Sequence, residues 1–198
     1  MESQRSFGEC FELLKAGDVG GLRHILERDS SAAEALDADG VSLLMHSLYR
    51  GRRDLAEVIA GRKKALDIFE AASLGRLDRL KECIREGSGD GSATNARSLD
   101  LPSKDGFTAL HFACFFGQPE AARLLLEHGA PVNARQQAGW VPIHAAAQNG
   151  DRPMVELLLQ RGADPTLANH EGKTPAVIAK EKGHNEIADL LDKVNLEK

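Results

Sequence analysis

Glycine spacing constrains this chain more than any other feature. Gly106 recurs 33 residues on as Gly139 and again as Gly172, Gly117 recurs as Gly150 and Gly183, and Gly129 recurs as Gly162, with the apolar runs between them in phase. A fixed period of this kind marks stacked supersecondary units that bury too little apolar surface alone and share one core along the stack. The 198 residues are therefore read as a single all-α array over 1–198, not as two globular domains.

Each period has its own local grammar. In GFTALHFACFFGQPEAARLLLEHGAPVNA, residues 106–134, Thr108 stands three residues before His111, so its hydroxyl can accept the His111 amide and start a helix. Leu110 and Ala113 point inward. Gly117 ends the helix, Pro119 opens the next where its missing N–H costs nothing, and Gly129 takes a left-handed cap. The run Leu124, Leu125 and Leu126 is expected to form the buried face. The next copy keeps Pro142, His144, Gly150 and the Leu157 to Leu159 run, but has Val141 where a capping threonine would stand, a loss of about 1 kcal/mol. The last copy keeps Thr174 and Pro175 and has Val177 at the histidine position. Asp189, Asp192 and Lys193 make its second helix polar, as suits a terminal repeat.

The same grammar runs earlier in the chain. Apolar residues at helical spacing flank Gly17-Asp18, Ser42 can cap a helix through Met45, and Gly51 stops that helix. A third pair turns at Gly75, with no turn-rich segment before Leu66, so its connecting finger is expected to be short or missing. Residues 87–103 are rich in Gly and Ser and lack apolar periodicity, which reads as a long exposed loop. The approximate repeats are 1–36, 37–66, 67–102, 104–135, 136–168 and 169–198.

Composition narrows the function. A net charge of -5 and a pI near 5.8 argue against general nucleic-acid binding, which needs a concentrated basic face. The densest basic stretch, Arg50, Arg52, Arg53, Arg62, Lys63 and Lys64, reads as solvated surface. Three widely spaced cysteines in helical patterns suggest neither disulfides nor a zinc site. With no signal-like or membrane-spanning run in the sequence, a cytoplasmic monomer is expected.

The motifs at residues 106–111 and 139–144, with the tails LLLEHGAPVNA and LLLQRGADPTLA, resemble ankyrin repeats. The resemblance implies a curved solenoid of about six helix-turn-helix repeats with short β-hairpin fingers. It also implies that the fingers and first helices line a concave face, the family's usual protein-binding surface. His111 and His144 would then knit each helix start to neighbouring backbone rather than bind metal, and His46 is read as their counterpart in the second repeat.

The sequence holds no catalytic constellation. Gly172-Lys173-Thr174 matches the end of a phosphate-binding loop, but Leu167 stands where that loop needs glycine. The chain is thus read as a non-enzymatic interaction scaffold with no cofactor, no metal, no nucleic acid and no membrane partner. Mapping the family's contact positions onto this sequence selects Lys104, Asp105, Phe107, Phe115 and Phe116 in the fourth repeat. In the fifth it selects Gln137, Trp140, Gln148 and Asn149, and in the sixth His170, Glu171 and Lys173. Tyr49 and Arg50 are the counterparts in the second. Aromatics are only 5% of the chain, yet Phe107, Phe116 and the sole tryptophan, Trp140, fall at these positions and are read as apolar anchors. Asp105, Arg135 and Glu171 would set polar register. The alternative is a regulatory module in which the 87–103 loop folds over the aromatics to enclose a small ligand or peptide.

Overall fold

The computed structural model describes residues 2–87, 99–104 and 106–196. Twelve α-helices and one short 3₁₀ turn, Ser30–Glu34, occur among them. They fall into two compact units, Met1–Leu66 and Asp67–Lys198. The division comes at the place where no turn-rich finger precedes Leu66.

The first unit contains two helix pairs, α1 (Glu2–Ala16) with α2 (Val19–Arg28), and α3 (Leu43–Tyr49) with α4 (Arg53–Ala60). Asp18 caps α2 by accepting the Gly21 amide at 2.9 Å, and Ser42 caps α3 through the Met45 amide at 3.2 Å. Short side chains at these positions satisfy donors that the first helical turn leaves open. Cys10, Leu14, Leu22, Leu26, Leu44, Leu55 and Ile59 form the shared core.

The second unit contains α5 (Ile68–Leu74) and α6 (Leu77–Glu86), α7 (Ala109–Phe115) and α8 (Pro119–Glu127), α9 (Pro142–Asn149) and α10 (Arg152–Gln160), and α11 (Pro175–Glu181) and α12 (Asn185–Leu196). The first helices α5, α7, α9 and α11 pack in that order, with α6, α8 and α10 behind them. The turn glycines 75, 117, 150 and 183 all have φ between +63° and +83°, a region that any side chain with a Cβ enters at a cost.

Several expectations are refined. No β-strand occurs among the described residues beyond a single antiparallel bridge, Leu36 to Ser42. The fingers are instead short turns, each held by two backbone bonds: Ser103 N–H to the Phe107 carbonyl and Gly106 N–H to the Ser103 carbonyl, with the same pair at Gln136, Trp140 and Gly139 and at Asn169, Lys173 and Gly172, all at 2.8–3.0 Å. They are too short to form a ladder. The Leu124 to Leu126 run does not bury as a block. Leu125 is fully buried with Ala121 and Ala122, while its two neighbours are half-buried, because consecutive residues on a helix lie about 100° apart. Most of the Gly/Ser-rich 87–103 segment, residues 88–98, lies outside the described residues, as does Asp105.

Candidate functional site

The three fingers of the second unit set the geometry of its exposed face. Gly106, Gly139 and Gly172 take φ of +82°, +79° and +76°, which turns the chain so that Phe107, Trp140 and Lys173 follow on the first-helix side. Successive fingers sit close together: a Cβ on Gly139 would lie 2.5 Å from His170 Cδ2, and one on Gly106 would lie 2.8 Å from Gln137 Cγ. His170 and Gln137, both expected to contact a partner, thus also pack finger on finger.

Two histidines, in the fourth and fifth repeats, fasten a helix start to the next finger. His111 accepts the Thr108 amide at Nδ1 (3.2 Å) and donates from Nε2 to the Trp140 carbonyl (3.2 Å). His144 accepts the Val141 amide (3.1 Å) and donates to the Lys173 carbonyl (3.1 Å). One nitrogen accepting and one donating requires the neutral ring. Burial pushes the pKa of His111 down to about 4, only partly opposed by its bond to the Trp140 carbonyl, and burial lowers that of His144 as well. Both rings are therefore structural members that any ligand at this face would find neutral.

Val141 has no acceptor with which to cap α9, so the His144 amide turns to the Val141 carbonyl at 2.9 Å. The third repeat uses a reciprocal pair instead: Asp67 accepts the Glu70 amide at 2.8 Å and Glu70 accepts the Asp67 amide at 3.2 Å. The Asp-x-x-Glu spacing signals this box in the sequence.

His46 is not the counterpart of His111 and His144. Ser42 is the N-cap of α3, so the equivalent third position is Met45, and His46 lies one residue beyond. Its Nε2 meets Asp37 Oδ2 at 2.6 Å. Burial would raise the Asp37 carboxyl, but the His46 bond and the Val41 and Asp39 amides outweigh it and hold the pKa low.

Between the fourth and fifth repeats lies a pocket of about 210 Å³ lined by Phe107, Phe115, Trp140, His111, Val141, Ala145, Gln136 and Gln148. Phe107 and Trp140 lie against the two histidines, with ring centroids 5.8 and 5.4 Å apart. Phe107 also lies 5.4 Å from Phe112, which in turn meets Phe69 of α5 at 5.7 Å. The aromatics are thus held from beneath by core rings. Phe115 is the most open of them, at 38% exposure.

The expected contact residues divide. Phe107, Phe115, Trp140 and Gln148 converge on the pocket. Phe116 does not line it; half-buried, it stacks on Phe112 at 6.4 Å. Arg135 gives one Nη1 to the carbonyls of Gly139 (3.1 Å) and Ala168 (3.0 Å), and Asn149 gives its amide to the Phe115 carbonyl at 2.7 Å. Lys173 pairs with Glu181 at 2.9 Å and Glu171 at 3.4 Å. Lys104 is exposed in the first of the three fingers. Tyr49 and Arg50 are exposed in the first unit, where Arg50 borders a second pocket with Phe11, Glu12, Lys15, Asp37 and His46. Sequence mapping misses Gln136, Val141 and Ala145 as pocket walls. They fall outside the mapped positions; Ala145 stands one period after Phe112, and its small side chain takes the place of that ring.

The basic stretch offers no concentrated field. Arg52 pairs with Asp54 at 2.7 Å, Lys63 with Glu34 at 3.5 Å, and Arg62 donates to the Leu26 carbonyl at 2.6 Å. Among the described residues, no group of three or more His, Cys, Asp or Glu could hold a metal ion, and no helix is long and apolar enough to cross a membrane.

A family model described as ankyrin repeats (3 copies) matches residues 68–169 and 144–197, more than half of the chain. The chain is 43% identical over 65 residues to the ankyrin repeat domain-containing protein oryK of Aspergillus oryzae, covering 33% of the chain and 9% of that protein. It is 38% identical over 75 residues to 26S proteasome non-ATPase regulatory subunit 10 of Rattus norvegicus, covering 38% of the chain and 29% of that protein. It is 35% identical over 92 residues to the human DNA-binding protein RFXANK, covering 45% and 32%. The chain thus spans a third or less of the length of each of these relatives.

Proposed function

The chain belongs to the ankyrin repeat family, and from that premise we propose that it is a non-enzymatic interaction module that holds a partner protein against the finger and first-helix face of its second unit. Ankyrin repeats generally mediate protein–protein interaction. The observation that carries the reading is the pocket walled by Phe107, Phe115 and Trp140, an apolar hollow in which Phe107 packs on the buried Phe112 and Trp140 on the buried His144. A preorganised face loses little ordering entropy on binding. The partner would be inhibited, stabilised or localised by capture on this surface.

The proposal extends to a monomer in a reducing compartment, without nucleic-acid or membrane partners. Burial raises the thiol pKa of Cys10 to about 11 and raises that of Cys114 as well, so both are poor nucleophiles for disulfide exchange. Pairing of Arg52 and Lys63 with acids supports the exclusion of nucleic acid.

Affinity capture from the native host, comparing the wild type with a Phe107→Ala, Trp140→Ala double variant, tests the site. Partners retained by the wild type and lost by a variant that keeps its thermal melt support it. Equal recovery on both would sink it.

A further inference from the structure

The pocket is small for a metabolite or drug-sized ligand, whose sites run to roughly 300–1,000 Å³; about 210 Å³ suits a single side chain. None of its eight lining residues carries a charge, since His111 is committed as a neutral ring to the Thr108 amide and the Trp140 carbonyl. A charged side chain placed there would be desolvated without a partner, so the occupant is apolar.

One polar group lines this hollow, and one cation stands in the finger that carries Phe107. The Gln148 side-chain amide lines the wall and makes no hydrogen bond to any described residue, leaving a donor pair and an acceptor for a peptide group. The cations of the face differ in availability. Arg135 is tied to the Gly139 and Ala168 carbonyls, and Lys173 to Glu171 and Glu181. Lys104, exposed three residues before Phe107, has no ion-pair partner among the described residues.

Resting on the reading of this face as the interaction surface, we propose that it recognises an extended partner segment that inserts one Leu, Met or Ile side chain into the pocket, bonds its backbone to Gln148, and sets an adjacent Asp or Glu against Lys104. The anchor supplies affinity, because it fills a water-excluding hollow. The acidic neighbour supplies register and association rate, as rim charges do.

The test uses the full chain and a random linear-peptide display library. The expected outcome is enrichment of segments with an aliphatic or Met anchor beside Asp or Glu. A synthetic copy of the winning segment then shifts the emission of Trp140, the sole tryptophan, and Trp140→Ala and Gln148→Ala weaken binding about tenfold and severalfold respectively. Repeating the selection on Lys104→Glu, an exposed position that leaves the core untouched, should exchange the acidic neighbour for Lys or Arg and keep the anchor.

Segments lacking an apolar anchor, an acidic preference that survives Lys104→Glu, or no enrichment at all overturns the inference. If segments of another chemistry are still lost with Phe107→Ala and Trp140→Ala, the interaction surface stands and only this recognition rule falls. If peptide binding ignores every variant on this face while the melts stay unchanged, both fail together.

Discussion

The two units each hold a pocket of about 210 Å³ bordered by a finger and a first helix, and the two differ in whether charged side chains share the wall with the apolar ones. In the second unit the hollow is walled by Phe107, Phe115 and Trp140, with a neutral His111 at its base. In the first, Phe11 and Leu14 share the wall with Glu12, Lys15, Asp37, His46 and Arg50. A shift of one residue separates the histidines of the two pockets. A histidine three positions after the N-cap turns back to its own cap and on to the next finger, and is buried. A histidine four positions after the N-cap, His46, reaches Asp37 instead, stays partly exposed, and brings charge to the pocket.

The largest expected effect separates the two histidine types directly. His144→Ala removes a fully buried ring and leaves the Val141 amide and Lys173 carbonyl each one partner short, so chemical denaturation should show a loss of about 3 kcal/mol. His46→Ala, at a partly exposed pair, should cost about 1 kcal/mol or less. Equal losses would break the distinction.

Acid should expose the same contrast. His111 has its pKa lowered from 6.5 to about 4, so between those values the unfolded chain binds the proton that the folded chain refuses. Its contribution is complete above pH 6.5 and is lost as pH falls towards 4, by an amount on the order of 3 kcal/mol. Asp37 behaves differently: its pKa is lowered from 3.8, so the stability it provides persists above that value and is lost only as pH falls through its folded pKa. Hydrogen exchange followed from pH 7 to 4 should therefore show the α7 and α9 amides losing protection while the 37–41 turn retains it. Simultaneous loss would show that His111 titrates without reporting its burial.

The smallest effect sharpens the comparison within the second unit. Gly139 and Gly172 have nearly the same φ, +79° and +76°, but a Cβ on Gly139 meets His170, whereas one on Gly172 finds nothing within 4 Å. Gly172→Ala should cost about 1 kcal/mol from backbone strain alone, and Gly139→Ala about 2 kcal/mol, because the next finger must also move. Thermal melts of the two variants measure the difference, and identical melting temperatures would mean that the fingers are not in supporting contact.

Much of the fold is legible in the residues. Thr108 and Ser42 cap the helices their spacing indicates, Pro119 opens α8, and each turn glycine adopts the left-handed backbone for which glycine is suited. The candidate site is legible in part: Phe107, Phe115, Trp140 and Gln148 meet as mapped, but Phe116 turns to Phe112, and the Arg135 and Asn149 groups are engaged by neighbouring carbonyls. No spacing rule marks Arg135 as occupied, since the Ala168 carbonyl it binds lies 33 residues away.

The sequence by itself determined the repeat, its turns and most of its caps, because these depend on torsional preference and on donors and acceptors within a few residues. Only the tertiary structure decided that His46 pairs with Asp37 instead of fastening a neighbouring repeat, which polar side chains remain available, and where the aromatics enclose a hollow. Those outcomes depend on atoms brought together across about one repeat length, where an offset of one residue, as between Met45 and His46, changes the partner and the chemistry of the surface.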